Sequence, residues 1–288
     1  DVACVNLMMV RGGRLLGDRA FFPKNAEGRV PQDVLAAFIG QHYLERPVPG
    51  VLVVSEEIDA EELEATLAEH SKRSVRVVTR PTAERRVWLE MALQNAQQAL
   101  KSKVAAQSTQ GARLAALRNG LGLPDSVQRI ECFDVSHTMG EAAVAACVVY
   151  DRLDMRPSEY RRYNIEGVTP GDDYGALSQA LARRYARIAG GNGVAPDLIF
   201  IDGGRGQVSA AKEALAEVGL SDIALVGIAK GRERKPGLEE LWVGARVVKL
   251  APDHAGLHLI QRIRDEAHRF AVAGHRSRRS KRRTTSTL

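Results

Sequence analysis

The sequence predicts an α/β protein: a mixed β-sheet flanked by helices, preceded by a smaller α/β unit and a long connecting helix. Three observations predict it. Short apolar runs alternate with segments of helical period on either side of a polar middle. Residues 82–119 contain no proline, and no glycine before Gly111. The string Gly120-Leu-Gly-Leu-Pro124 then punctuates the chain where a second domain should begin.

In order, a hairpin is expected from Ala3 to Val10 and Arg14 to Phe22, turned at Gly12-Gly13. A helix from Pro31 to Tyr43 follows, with proline in its first turn, then a strand Val51–Val54, a helix Ala60–His70 and a strand Val75–Thr79. Glu56, Glu57 and Asp59 fall in a strand-to-helix loop, where capping is the reading for them. The polar stretch 82–119, rich in Ala, Gln, Leu, Lys and Arg, reads as one long helix or a helical pair.

Three strands are expected next, Ile130–Val135, Ala142–Tyr150 and Tyr160–Ile165. A helix from about Asp172 carries Tyr174, Leu177, Leu181, Tyr185 and Ile188 at helical spacing. Leu198–Ile201 is wholly apolar, as a central strand would be. Gln207–Val218 reads as helix, Ala224–Ala229 as strand and Leu257–Ala271 as the last helix. Three antiparallel strands followed by helix-linked parallel ones is the element order of the RNase H-like nuclease fold. The domain reading is therefore 1–80, a small α/β domain without a catalytic constellation; 81–124, a helical linker; 125–274, the RNase H-like domain; and 275–288, a basic tail.

Composition narrows the function. With 288 residues, 44% of them hydrophobic and 26% charged, the chain has material for two modest cores. The net charge of +6 equals the six positive charges of Arg276, Arg278, Arg279, Lys281, Arg282 and Arg283. Such a block has nothing apolar to bury, so it reads as a solvated tail, able to neutralise phosphates or simply to keep the chain soluble. Cys4, Cys132 and Cys147 are odd in number and set among apolar residues, against a disulfide framework or a zinc site and in keeping with a reducing cytoplasm. No run is long and apolar enough to span a bilayer, so no membrane partner is expected. The chain begins at Asp1 rather than Met, as a piece of something longer would.

Four residues carry the chemistry. Strand alternation puts Asp134 on the same face as Ile130 and Cys132, where a buried charge costs on the order of several kcal/mol unless a cation or a donor network meets it. Two readings stand: a metal ligand, or a cap that bonds the loop Ser136-His137-Thr138. Asp202 closes the apolar strand and precedes Gly203-Gly204; if its strand neighbours the first, both aspartates project to one point, and hard oxygens there suit Mg²⁺ or Mn²⁺. Asp173 lies four residues before Leu177, on the sheet-facing stripe, while Asp172 is placed to cap the helix. His268 lies with Gln261, Arg264 and Asp265 beside the stripe Leu257, Ile260, Ile263, Ala267 and Phe270, where metal ligation, proton transfer and a purely structural role all remain open.

Several segments together resemble the consecutive signature blocks of the UvrC family. They are Glu131-Cys-Phe-Asp-Val-Ser-His-Thr-Met-Gly-Glu141, Tyr160-Arg-Arg-Tyr-Asn-Ile165, Thr169-Pro-Gly-Asp-Asp-Tyr174 and Ile201-Asp-Gly-Gly-Arg-Gly-Gln207. Ala229-Lys-Gly231, Arg234-Lys235, Gly237-Leu-Glu239, Ile263-Arg-Asp-Glu-Ala-His-Arg-Phe270 and His275-Arg276 continue the series in order. The resemblance covers nearly all of residues 128–279, and more loosely the stretch before residue 120. It implies an RNase H-like DNA endonuclease that cuts on the 5′ side of a lesion in nucleotide excision repair. It also implies a metal site of Asp134, Asp202 and His268, with Asp173 as a further acid. The family's other nuclease, the segment that docks UvrB, the cysteine-rich region and the helix-hairpin-helix pair are expected outside this chain.

Damaged double-stranded DNA is the implied substrate, with Arg161, Arg162, Lys230, Arg232, Arg234, Lys235, Arg264 and Arg276 as candidate phosphate contacts. The residues of the first 80 follow a similar element order with no acid in the first strand, as a degenerate copy of the same fold would. Two rivals remain. One is a nucleic-acid-binding module without catalysis; the other is a nucleotide enzyme built on Gly203-Gly204-Arg205-Gly206, which lacks the Gly-Lys-Ser/Thr ending of a P-loop.

Overall fold

A computed structural model of the chain describes residues 2–24, 26–136, 143–169, 171–191, 193–229 and 238–285, with side chains as far as residue 273. It divides into two compact units, Asp1–Ala106 and Gln107–Leu288.

In the first unit, β1 (Val5–Arg11) and β2 (Arg14–Phe21) form an antiparallel hairpin. Gly12 and Gly13 both take positive φ there, the geometry a two-residue turn demands and other residues resist. Then follow α1 (Pro31–His42), β3 (Val51–Val53), α2 (Ala60–Ser71) and β4 (Arg76–Val78), with β3 and β4 parallel. Proline opens α1, where its missing N–H costs nothing. Asp59 caps α2 by accepting the N–H of Glu62 at 3.1 Å, whereas Glu57 pairs with Arg80 at the surface. Ile39, Tyr43, Leu52, Leu63, Leu67 and Val77 are among the residues that make this unit's core.

Helix α3 (Ala83–Leu121) begins in the first unit and ends in the second. Its buried residues, Leu114, Leu117 and Leu121, all lie in its last two turns. The turn closes where the N–H of Leu123 reaches the carbonyl of Arg118, with Gly122 at positive φ.

The second unit continues with β5 (Ile130–Ser136), β6 (Val144–Asp151), the two-residue β7 (Asp154–Met155) and β8 (Arg161–Asn164). Next come α4 (Asp173–Ala189), β9 (Leu198–Ile201), α5 (Arg205–Glu217) and β10 (Ala224–Ala229). A second hairpin of β11 (Glu240–Val243) and β12 (Arg246–Val248) precedes α6 (Ala255–Thr285). The sheet runs β12-β11-β10-β9-β5-β6-β7, with β8 also paired to β6. Strands β5, β9 and β10 are mutually parallel, and β6, β8, β11 and β12 each run antiparallel to the neighbour they join.

Alternation sorts the core into two layers. Ile130, Cys132, Leu198 and Phe200 face α6 and the end of α3, with Leu259, Ile260, Ile263 and Ala267 packed on them. Phe133, Ile199 and Ile201 face α4 and α5, against Leu177, Leu181, Tyr185, Ala211 and Leu215.

The strands β7, β11 and β12 were not foreseen, being two to four residues long and too short for a period to register. The last helix differs more. It continues through the basic run expected to be a tail, because Arg and Lys are good helix formers and a helix already nucleated on the sheet extends at little further cost.

Candidate metal centre

Strand register brings the two aspartates together. Phe133 pairs with Ile201 across parallel β5 and β9, so Asp134 and Asp202 are the next residues on neighbouring strands. Each is one step on from a side chain that faces α4 and α5, so both are directed to the α6 layer. The N–H of Asp202 donates to the carbonyl of Phe133 at 3.0 Å, carrying the register one residue past β9. Helix α6 crosses that layer, with Ile263, Ala267 and Ala271 seated in the core. His268, one residue from Ala267, emerges at its rim with its ring 62% exposed, and its Nδ1 stands 3.4 Å from Oδ2 of Asp134.

One ligand atom from each of Asp134, Asp202 and His268 lies within 4.8 Å of the others. Oxygens around an octahedral cation bound at about 2.1 Å stand roughly 3–4 Å apart, so this spacing matches one small divalent ion. Two carboxylates and an imidazole are the donors Mg²⁺ or Mn²⁺ accepts, and among the described residues no Lys or Arg pairs with Asp134. The remaining donor to Asp134 is the Ser136 hydroxyl, which gives its proton to Oδ2 at 3.0 Å. The strand-end bond expected as the alternative for Asp134 is thus present in addition to the cluster, while His137 and Thr138 lie outside the described residues. The negative field of the pair reaches along its own layer: the thiol of Cys132 is held well above its usual range by burial, then by the charges of Asp202 and Asp134.

The helix carrying Asp173 packs on the opposite layer, so Asp173 heads α4 and does not belong to this cluster. It nevertheless starts from the same edge of the sheet, because β8 runs parallel to β5 and ends beside β6 at Val144, the partner of Ser136. Asp172 is the N-cap, accepting the N–H of Gly175 at 2.9 Å.

The glycine loop after β9 is occupied by the protein itself. Gln207 folds back over Gly203 and accepts the N–H of Gly204 at 2.9 Å, the ring of Tyr174 lies against Gly206, and a side chain at Gly227 would collide with Val208 and the carbonyl of Gly203. Gly203, Gly206 and Gly227 serve close packing, and the N–H of Gly204 that a phosphate would need is taken by Gln207, which speaks against the nucleotide-enzyme reading.

Three of the expected phosphate contacts are engaged within the protein. Arg264 turns inward, its guanidinium donating to the buried Glu239 at 2.9 Å and to Asp265 at 3.0 Å. Its place beside the apolar stripe of α6 suggested exposure, and the unforeseen partner was Glu239. Arg162 stacks on Phe270, 3.8 Å from the ring centroid, and donates to the Phe270 carbonyl at 2.7 Å. Arg161 is exposed and donates to the carbonyl of Ser158 at 3.0 Å. Lys230, Arg232, Arg234 and Lys235, and the side chain of Arg276, lie outside what the structure describes.

Sequence reasoning also missed Glu131. It is fully buried on the α4 layer, where Arg184 donates to both its oxygens, the Tyr185 hydroxyl donates at 2.7 Å and Arg129 approaches at 3.4 Å. The signal was available: Arg184 sits at helical spacing from Leu177 and Leu181, on the face of α4 that packs on the sheet.

The family model for the UvrC RNAse H endonuclease domain matches residues 118–272, more than half of the chain and the whole of the centre just described. The chain belongs to the UvrC family. A second model, the UvrC Ribonuclease H-like domain, matches residues 1–103. The UvrABC system protein C of Methylobacillus flagellatus is 56% identical over 287 residues, 99% of this chain and 48% of that protein. That of Dechloromonas aromatica is 55% identical over 290 residues, again 99% and 48%. The chain therefore spans about half the length of the curated relatives it matches. Among solved structures, the endonuclease V proteins of Streptomyces avermitilis and Bacillus subtilis align with TM-scores of 0.34 each. Their identities are 19% and 13%, over 60% and 55% of this chain and 93% and 85% of theirs, too weak a likeness to bear on the site.

Proposed function

We propose that the second unit of this UvrC-family chain is a metal-dependent DNA endonuclease, which hydrolyses a phosphodiester on the 5′ side of a lesion in nucleotide excision repair. The observation that carries this reading is the convergence of Asp134, Asp202 and His268 at the carboxyl ends of two parallel strands. In it, those three side chains hold Mg²⁺ or Mn²⁺. Such an ion, when bound, supplies Lewis-acid neutralisation of the charge that builds on the phosphorane oxygens.

The rest falls to the chain's own residues. Asp134 and Asp202 are fixed by a paired register, which holds their separation without further cost at the moment of reaction. Ser136 orients one oxygen of Asp134. His268, exposed on its outer side, either completes the coordination or positions the attacking water in line with the scissile bond. Asp173, at the same sheet edge but heading the other helix layer, is a further acid of the reaction. The expected product is a nick with a 3′ hydroxyl and a 5′ phosphate.

Damaged duplex DNA is the substrate in this reading, met by Arg161, Lys230, Arg232, Arg234, Lys235 and Arg276 through phosphates and without sequence preference. Partner contacts with a UvrB–DNA complex belong to segments outside these residues, and the setting is the cytoplasm; no helix among the described residues is long and apolar enough to cross a membrane. The first unit is a non-catalytic copy of the same fold. Its β1 holds no acid, and the one aspartate of its hairpin, Asp18, accepts hydrogen bonds from Asn6 and Asn95.

Replacing Asp202 by Ala in the full-length protein should abolish the 5′ nick on a lesion-bearing duplex while the circular dichroism spectrum is unchanged. Normal nicking by that variant would move the site elsewhere, and a wild-type protein that binds such DNA without cutting it would favour a binding module instead.

A further inference from the structure

His268 reaches the acid pair from a helix rim, and a residue so placed is only as well positioned as the helix beneath it. The polar flank of α6 is fastened at three successive places. Gln261 donates to both oxygens of Glu239 at 3.1 and 3.2 Å, Arg264 donates to the same carboxylate at 2.9 Å, and His268 stands over Asp134. These positions are three and four residues apart, so they share one face of the helix. Glu239 itself is almost fully buried and immediately precedes β11, whose Glu240 pairs with Ala229 at the end of β10. It thus ties α6 to the same edge of the sheet from which the two aspartates project.

The energetics favour a rigid tie. Burial alone would raise the carboxyl of Glu239, yet it is held below the usual range, because hydrogen bonds from Gln261, its own N–H and Arg264, with the Arg264 charge, outweigh that cost. Arg264 is one helical turn before His268, on the same face of α6. The anchor therefore lies close to the centre without belonging to it.

We propose that Glu239 is a positioning residue for the metal centre: acting through Gln261 and Arg264, it sets the rotation and height of α6 and so the reach of the His268 ring to the site of Asp134 and Asp202. This rests on the reading that those three residues bind a divalent ion. Outer partners that orient a ligand typically change metal affinity by about 10–100-fold when removed.

The test is a double-mutant cycle read by Mn²⁺ titration of the whole chain, followed by the electron paramagnetic resonance of free Mn²⁺. Glu239→Gln should weaken Mn²⁺ binding about tenfold in the wild-type background. In a His268→Ala background, where no ring remains to be positioned, the same change should alter affinity less than about twofold. Gln261→Ala, which leaves the Glu239–Arg264 pair in place, should show the same dependence on His268 at smaller size and guards against a Glu239 variant that does not fold. Equal losses in both backgrounds, or no loss in either, would overturn the proposal while leaving the metal centre intact. A wild-type chain that binds no Mn²⁺ would remove the centre and this inference with it.

Discussion

Glu131 and Asp134 stand three residues apart on β5, both buried, and their surroundings differ as much as two carboxylates' can. Glu131 faces α4, where Arg184, Arg129 and Tyr185 supply charge and hydrogen bonds to both its oxygens. Asp134 faces α6, where its neighbours are a second carboxylate, a histidine and one serine hydroxyl. A carboxylate that carries its own counter-ions is complete and holds the layers together. One placed beside a like charge and an imidazole is what the proposed cation site would need.

The largest effect should separate their roles in catalysis. Asp134→Asn is expected to lower 5′ nicking by about 10³-fold or more in a plasmid-nicking assay, with a melting temperature unchanged or raised, since it removes one of two facing like charges. Nicking by Glu131→Gln protein, measured on its folded fraction, should stay close to wild type. His268→Ala should be intermediate, slowing the nick by about 10²-fold, the usual share of one positioned acid–base group.

Stability should reverse the order. Glu131→Ala leaves the buried Arg184 guanidinium without its main partner, which costs about 3–5 kcal/mol and so on the order of 10 °C in melting temperature by calorimetry. A loss near zero would mean that the α4 layer does not depend on this pair. The smallest effect concerns acid. Glu239 has its folded value lowered, so its contribution is full above the unfolded value near 4.5 and is lost as the pH falls through the lower folded one. Urea melts of the wild type and Glu239→Gln should therefore differ above about pH 5 and converge below about pH 4.

The same contrast shows what a reader of the sequence could and could not see. Asp134 and Asp202 were legible because each interrupts an apolar run at a strand end, and alternation fixes their face without any coordinates. The order of strands and helices followed from period and punctuation, whereas the place of His268 beside the α6 stripe left its role open and only the family resemblance implied a metal ligand. What escaped depended on pairing across layers. Arg264 reads as a surface cation until Glu239 is known to lie beneath it, and Glu131 reads as one acid among several until Arg184 arrives from α4, 53 residues away. Asp173 was placed on the sheet-facing side of its helix, but only the topology reveals that its helix covers the other face. The basic run after residue 274 was misjudged because charge density argues for solvation and is silent on whether the solvated segment continues a helix.

Crystals grown with Mn²⁺ decide whether the α6 face of β5 and β9 holds a divalent cation as proposed. An anomalous difference peak is expected about 2.1–2.2 Å from a carboxylate oxygen of Asp134, one of Asp202 and a ring nitrogen of His268. A saturated crystal with no peak there, or with one that touches none of the three, would contradict that proposal.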